Sequence, residues 1–337
     1  MKNINCEIEI LTPMFLGGAL QAIDGKPLCE LRAQSIKGTL RYWYRTLIGH
    51  ENTAIKENTL FGSSDEKIGV SKVRIKTEKK NLAIYDKTQF PKITEYMFKH
   101  PTKGFQMNPL DYLAYGPVDN KKLIAHKAFS PGGTFSLVFF LNGCNEVQHI
   151  EFTKTLFLWL NFGGLGSRSR KGYGAIKLLN DETIFQGQDW FIKDNMVGTL
   201  GKLTTGIPST GHPYSKTYSY IDTDTKFWIS KEKVDSWEKC LSMLGRDYHN
   251  WKQALPVAHG REVLGTPLLH GSPKYANKRR ASPYFLTVFK VSDGLYKYGV
   301  LHIPSDYSSS LPIPDNVQKE HHDRFQQAIE KTAKREV

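Results

Sequence analysis

The order of hydrophobic periods over the first 180 residues is the strongest constraint this chain places on its own fold. Residues 4–11, INCEIEIL, alternate apolar and polar side chains around Ile8 and Ile10, the period of a half-buried strand, and Thr12–Pro13 ends the run. From Ser35 the spacing becomes three and four through Ile36, Leu40, Trp43 and Leu47, which predicts a helix with Ser35 as its N-cap and Gly49 as its stop. VSKVRIKTE, residues 70–78, predicts a second strand, and residues 81–125 then form a long segment with little period. The turn signal PGG precedes a strand alternating through Phe135, Leu137, Phe139 and Leu141. A helix near 149–161 follows, apolar through Phe152, Leu156, Trp159 and Leu160, and Tyr173 to Leu179 predicts a closing strand. Strand, helix, strand, strand, helix, strand is the split βαβ order of a ferredoxin-like domain, an antiparallel sheet with two helices on one face.

At 337 residues the chain is long enough for two such cores. Past residue 180 a helix is expected between about 231 and 255, where Val234, Trp237, Leu241, Leu244, Tyr248, Trp251 and Leu255 recur at three and four. Two strands, SPYFLTVFKV and LYKYGVLHIP, flank a DG turn, and residues from 315 onward predict a polar helical tail. The expectation is an α+β protein of tandem ferredoxin-like (RRM-like) domains with antiparallel sheets. The first spans 1–180 with an insertion at about 81–125, and the second spans 181–337.

Charge narrows the partner. Lysine and arginine number 46 against 33 acidic residues, a net +13, and the first 180 residues hold 25 basic against 15 acidic side chains. Such an excess suits an anionic partner, with plain solubility as the alternative. Cys6, Cys29, Cys144 and Cys240 lie far apart with no CxxC pair and no zinc-ligand spacing, which predicts reduced, mostly buried thiols and no metal. Neither a secretory h-region nor an apolar run of about 18 residues occurs, so a cytoplasmic location without membrane contact is expected.

Two cationic features stand out. On the helix SIKGTLRYWYR, Lys37, Arg41 and Arg45 recur every four residues opposite the apolar side chains, Arg32 extends the stripe, and no acid occurs between Glu30 and Glu51. The stretch NFGGLGSRSRKGYGA, residues 161–175, holds five glycines and three cations. Two accounts of it stand open. Backbone N–H groups at Gly163, Gly164, Gly166 and Gly172 could cradle a phosphodiester, with Arg168, Arg170 and Lys171 supplying charge and Tyr173 a stacking ring. Alternatively the glycines let a strand and a helix pack closely. Neither GxxxxGK[ST] nor GxGxxG fits, so no nucleotide cofactor is indicated.

The segments LTPMFLGGA, ELRAQSIKGTLRYWYR, FGS and GGLGSRSRKGYGA, in that order, resemble the RAMP superfamily of CRISPR-associated proteins, most closely the first subunits of type III-B Cmr effector complexes. The matching positions are Thr12, Pro13, Gly17 and Gly18; Glu30, Arg32, Ser35, Lys37, Gly38, Arg41, Trp43 and Arg45; and Gly163 through Gly174. A fainter similarity in VLGTPLLHGSPKYANKRRASPYFLTV makes Lys278, Arg279, Arg280 and Ser282 a second basic motif, with an exposed solubility run as the other account. The resemblance implies a non-catalytic subunit that holds the 3′ part of a guide RNA (crRNA), paired target RNA, or both, beside neighbouring Cmr subunits. If roughly six phosphates are met, affinity falls about a thousandfold between 50 and 200 mM salt.

Two other functions are compatible with the same sequence. Some RAMP relatives are ribonucleases, for which His50 at the end of the cationic helix or Asp24 in AIDGKP would be the catalytic candidates; each also reads as an ordinary helix-end or turn residue. A protein-only adaptor would instead present Trp190, Trp228 and Trp237 on an interface.

Overall fold

The computed structural model describes residues 2–23, 26–49, 52–64, 69–100, 104–205, 219–256, 260–265, 281–291, 293–304 and 315–337. Along the chain, β1 (Lys2–Ile10) leads into the hairpin β2 (Gly17–Ile23) and β3 (Lys26–Cys29), then α1 (Ala33–Ile48), α2 (Thr53–Phe61) and β4 (Val73–Asn81). Short pieces β5 (Phe98–Lys99), β6 (Gln106–Met107) and α3 (Pro109–Leu113) precede β7 (Thr134–Leu141), α4 (Glu146–Leu158), β8 (Ile176–Leu178), α5 (Asp181–Phe185) and α6 (Met196–Thr205). The rest comprises β9 (Lys226–Ser230), α7 (Trp237–Gln253), β10 (Tyr284–Lys290), β11 (Tyr296–His302), α8 (Asp315–Glu330) and β12 (Ala333–Arg335).

Two compact units result, Met1–Phe90 with Ala114–Thr199, and Pro91–Leu113 with Leu200–Val337. The division differs from a cut at residue 180 for a physical reason. Phe185 and Trp190 pack on Phe157 of α4, with ring centroids 5.8 and 5.9 Å away, so the stretch after β8 finishes the first core. The expected insertion also divides, because its middle part, 91–113, belongs to the second unit. There Gly245 of α7 makes room for α3: a β-carbon would lie 2.7 Å from Pro109 Cβ.

The first unit's sheet runs β4-β7-β1-β8, with every pair antiparallel. This is the ferredoxin-like order, reached because β1 alternates Ile4, Cys6, Ile8 and Ile10 inward and β7 answers with Phe135, Leu137, Phe139 and Leu141. Helices α1 and α4 lie against one another, and Phe152 of α4 meets Phe139 of the sheet at 5.4 Å. Asn145 and Gln148 form a capping box that starts α4. Beyond Val73, β4 is largely polar and lysine-rich, as suits an edge strand.

The second unit repeats the pattern, with β9, α7, β10, β11, α8 and β12 in chain order and an antiparallel sheet β10-β11-β9-β12. The α+β, tandem ferredoxin-like class therefore holds. The tail expected from residue 315 is a helix followed by a strand, since Ala333–Arg335 pair with β9 and complete the sheet. Ser236 caps α7 through its hydroxyl, which accepts from Lys239 N.

Candidate nucleic-acid interface

The cationic helix begins earlier than its pattern suggests. Its first residue is Ala33, the N-cap is an extended Arg32 without a side-chain cap bond, and the Ser35 carbonyl accepts from Thr39 Oγ1. Ile36, Leu40, Trp43, Tyr44 and Leu47 bury the inner face, each large side chain contributing about 1.5–3 kcal/mol of transfer free energy. Gly49 ends the helix, its N–H donating to Arg45 O at 3.0 Å.

The outer face is less free than a stripe without nearby acids implies. Glu57 of α2, buried, accepts Arg41 Nε at 2.5 Å and Arg45 Nη1 at 2.8 Å. Arg41 also donates through Nη1 to Gly62 O at 3.0 Å and through Nη2 to Asn58 Oδ1 at 2.9 Å, which ties α1 to the end of α2. Arg41 is thus a structural clamp, a correction to its reading as an open phosphate contact. Sequence distance hid the neutralising acid. Lys37 donates to the neutral Ser71 Oγ at 2.7 Å, and burial, with Arg41 beside it, lowers its pKa. Arg32 faces Glu30 at 3.9 Å. Among the described residues, two arginines and a lysine on this face stand with the one carboxylate of Glu57.

The glycine stretch divides between its two accounts. Residues Trp159–Gly163 extend α4 as a wide π-turn, and Gly163 sits against tryptophan: a β-carbon would lie 2.5 Å from Trp43 Nε1 and 2.7 Å from Trp159 Cδ1. Gly164, at φ +80°, would bring one within 2.8 Å of Gly174 O, and Gly166, at φ +93°, within 2.5 Å of Phe15 O. Close backbone packing accounts for these three. Other N–H groups of the loop are committed inside the protein: Leu165 N to Gly174 O, Ser167 N to Phe15 O, Lys171 N to Arg168 O and Gly174 N to Pro13 O, all between 2.7 and 3.0 Å. Thr12 Oγ1 donates to Gly172 O and accepts from Ala175 N. The bonds to Thr12, Pro13 and Phe15 zip the loop to that segment, and of the four glycines expected to cradle a phosphodiester Gly164 turns its N–H inward, to Trp159 O.

Tyr173 is fully buried, 5.3 Å from Phe15 and 5.6 Å from Phe90 between ring centroids. It belongs to the core and no base can stack on it. The cations of the loop behave otherwise. Arg168, Arg170 and Lys171 are half-buried at its rim. Arg170 Cζ stands 4.8 Å from the centroid of the Tyr42 ring, a cation–π contact to α1. Tyr42 is the residue that pattern reading missed, hidden beside the apolar Trp43 and Tyr44. Through it the loop and the cationic helix share one face. Burial, followed by Arg168 and Arg170, pushes the Lys171 amine down to about 7, and burial lowers Arg168.

Asp24, His50, Lys278, Arg279 and Arg280 lie outside the described residues. Trp190, Trp228 and Trp237 are buried, at 5%, 0% and 8% exposure, so the adaptor surface expected from them does not exist. Cys6 and Cys240 are buried thiols, which raises their pKa by desolvation. Among the described residues no group of three or more His, Cys, Asp or Glu side chains could hold a metal ion, and no helix is long and apolar enough to cross a membrane.

Comparison with known proteins bears on this geometry. The chain is 24% identical over 291 residues to the CRISPR system Cmr subunit Cmr1-1 of Pyrococcus furiosus, covering 79% of this chain and 78% of the relative. It is 26% identical over 190 residues to Cmr1-2 of the same organism, covering 51% of this chain and 92% of the relative. The apo crystal structure of Cmr1 from Pyrococcus furiosus superposes with a TM-score of 0.60 at 17% identity, covering 100% of this chain and 99% of that one. A chain in the cryo-EM structure of type III-B Cmr-beta bound to cognate target RNA gives 0.56 at 12% identity, over 95% of this chain and 99% of that one. The profile of the RAMP superfamily matches residues 7–177, which span the first sheet, the cationic helix and the glycine loop. This chain belongs to the RAMP superfamily.

Proposed function

We propose that this protein is a subunit of a type III-B CRISPR effector complex and that it holds RNA, rather than cutting it, on the face shared by α1 and the glycine loop. The single observation that carries the RNA reading is Arg170 stacked on Tyr42, which joins the two cationic elements of the sequence. The similarity to Cmr1 proteins and to a chain of a target-bound Cmr-beta complex supports the assembly. The RNA is the 3′ part of the guide, the paired target, or both, and the protein partners are neighbouring Cmr subunits.

Lys37, Arg45, Arg170 and Lys171 are the phosphate contacts in this reading, with Arg168 beside them, and Arg41 holds the helix in place. Phosphate contacts of this kind are sequence-tolerant and salt-sensitive. For a single strand the logarithm of affinity falls by about 0.7 per contact per decade of salt, so four contacts predict roughly a fiftyfold loss between 50 and 200 mM. The test is fluorescence anisotropy of a labelled single-stranded RNA with the full chain and with the double variant Lys37→Glu, Arg170→Glu. The double variant should bind more than tenfold more weakly with a flatter salt slope. Equal affinity of the two proteins, or a flat slope in the unaltered one, refutes the proposal.

A further inference from the structure

Burial of Tyr173 leaves the RNA face without the base contact expected of it, yet the loop holds a second arginine–tyrosine pair. Arg168 Cζ lies 5.9 Å from the centroid of the Tyr115 ring. Tyr115 is 50% exposed, and its turn is fixed: Val118 N donates to Ala114 O at 3.1 Å, with Ala114 and Val118 both buried.

Backbone conformation is given over to this arrangement on both sides. Arg168 adopts φ +65°, the left-handed region that side chains other than glycine rarely occupy. Lys171 N holds that turn by donating to Arg168 O at 2.7 Å. Opposite, Gly116 adopts φ +107°, and a β-carbon there would stand 3.0 Å from Arg168 Nη2. A strained arginine and a glycine hollow thus place a guanidinium over one tyrosine, a residue that remains half exposed. Arg168 and Arg170, alternate residues of one loop, each take a tyrosine ring, from the Tyr115 turn and from α1.

A ring with a cation over it and an open surface is the chemistry that receives an unpaired nucleobase, the guanidinium being close enough to meet the flanking phosphate. We infer that Tyr115 is a nucleobase-stacking platform, oriented by Arg168, for an unpaired base of a single-stranded RNA. The inference rests on the proposal that RNA lies along the α1 and loop face. The nearest competing occupant is a protein surface, which would use the same exposed ring without RNA.

The experiment uses the full chain with RNA oligonucleotides carrying 2-aminopurine at successive positions, read by fluorescence quenching, and anisotropy for affinity. The unaltered chain should quench the probe strongly at one position. Tyr115→Ala should abolish that quenching and weaken binding roughly tenfold, the usual loss for one stacked base. Tyr115→Phe, which keeps the ring, should restore both. Circular dichroism confirms that each variant folds. If Tyr115→Ala keeps quenching and affinity while Lys37→Glu, Arg170→Glu loses binding, the platform is refuted and the RNA face stands. If the unaltered chain binds no RNA, both fall together.

Discussion

Replacing Glu57 with glutamine separates the two roles of the cationic helix, because stability and RNA affinity should move in opposite directions. Glu57 accepts from Arg41 at 2.5 Å and from Arg45 at 2.8 Å, its side chain 7% exposed and theirs 29% and 28%. Removing one partner of a fully buried pair costs about 3–5 kcal/mol. Here the guanidiniums keep part of their hydration and the glutamine oxygen still accepts one N–H, so the loss is about 2 kcal/mol. For units of this size, that lowers the melting temperature by roughly 4–8 °C in a thermal scan. The same change removes a carboxylate paired with both Arg41 and Arg45, so RNA should bind a few-fold more tightly at low salt, with the gain fading as salt rises. An unchanged melting temperature would refute the clamp. Unchanged or weaker RNA binding, measured at 20 °C where both proteins are folded, would refute the passage of phosphates along α1.

Two further predictions follow the loop. Gly163→Ala forces a methyl between Trp43 and Trp159 and should cost about 1–3 kcal/mol in urea unfolding, whether or not RNA is present. Lys171, lowered to about 7 in the folded protein, binds fewer protons than the unfolded chain up to its ordinary 10.5. Its contribution therefore makes stability rise with pH across that window, with the penalty fully present below pH 7. RNA phosphates favour the charged form, so affinity at fixed salt should fall from pH 6 to 8.5. Lys171→Arg should flatten that profile, and parallel profiles for the two proteins would place Lys171 away from the RNA.

The first sheet and both its helices were legible in the sequence because their apolar periods are long and their faces one-sided. Its boundaries shifted where backbone bonding overrode pattern. Tyr173 to Ala175 look like the start of a strand, but Gly174 and Ala175 bond to Pro13 and Thr12, and β8 begins only at Ile176. In the second unit, β9 escaped notice because Phe227 and Trp228 are adjacent and both fully buried, which erases alternation, and β12 because Ala333 is its only buried residue. The cationic helix was recognisable from its spacing, whereas Glu57, sixteen residues after Arg41, could be assigned to it only once α2 had a direction. Tyr42 and Tyr115 carry no spacing signal at all. Each acquires meaning only from the arginine that the loop carries to it.

The first strand of each four-stranded sheet in chain order lies inside that sheet. β1 waits for β7, where Lys2 meets Leu141, and then for β8, where Ile8 meets Leu178. At ordinary rates of synthesis the interval before the first of these neighbours arrives is on the order of ten seconds, during which both margins of β1 stand without their native partners. Such distant pairing makes for slow maturation. A helper that shields this opening segment should therefore raise the yield of folded protein more than one acting on any later part of the first unit.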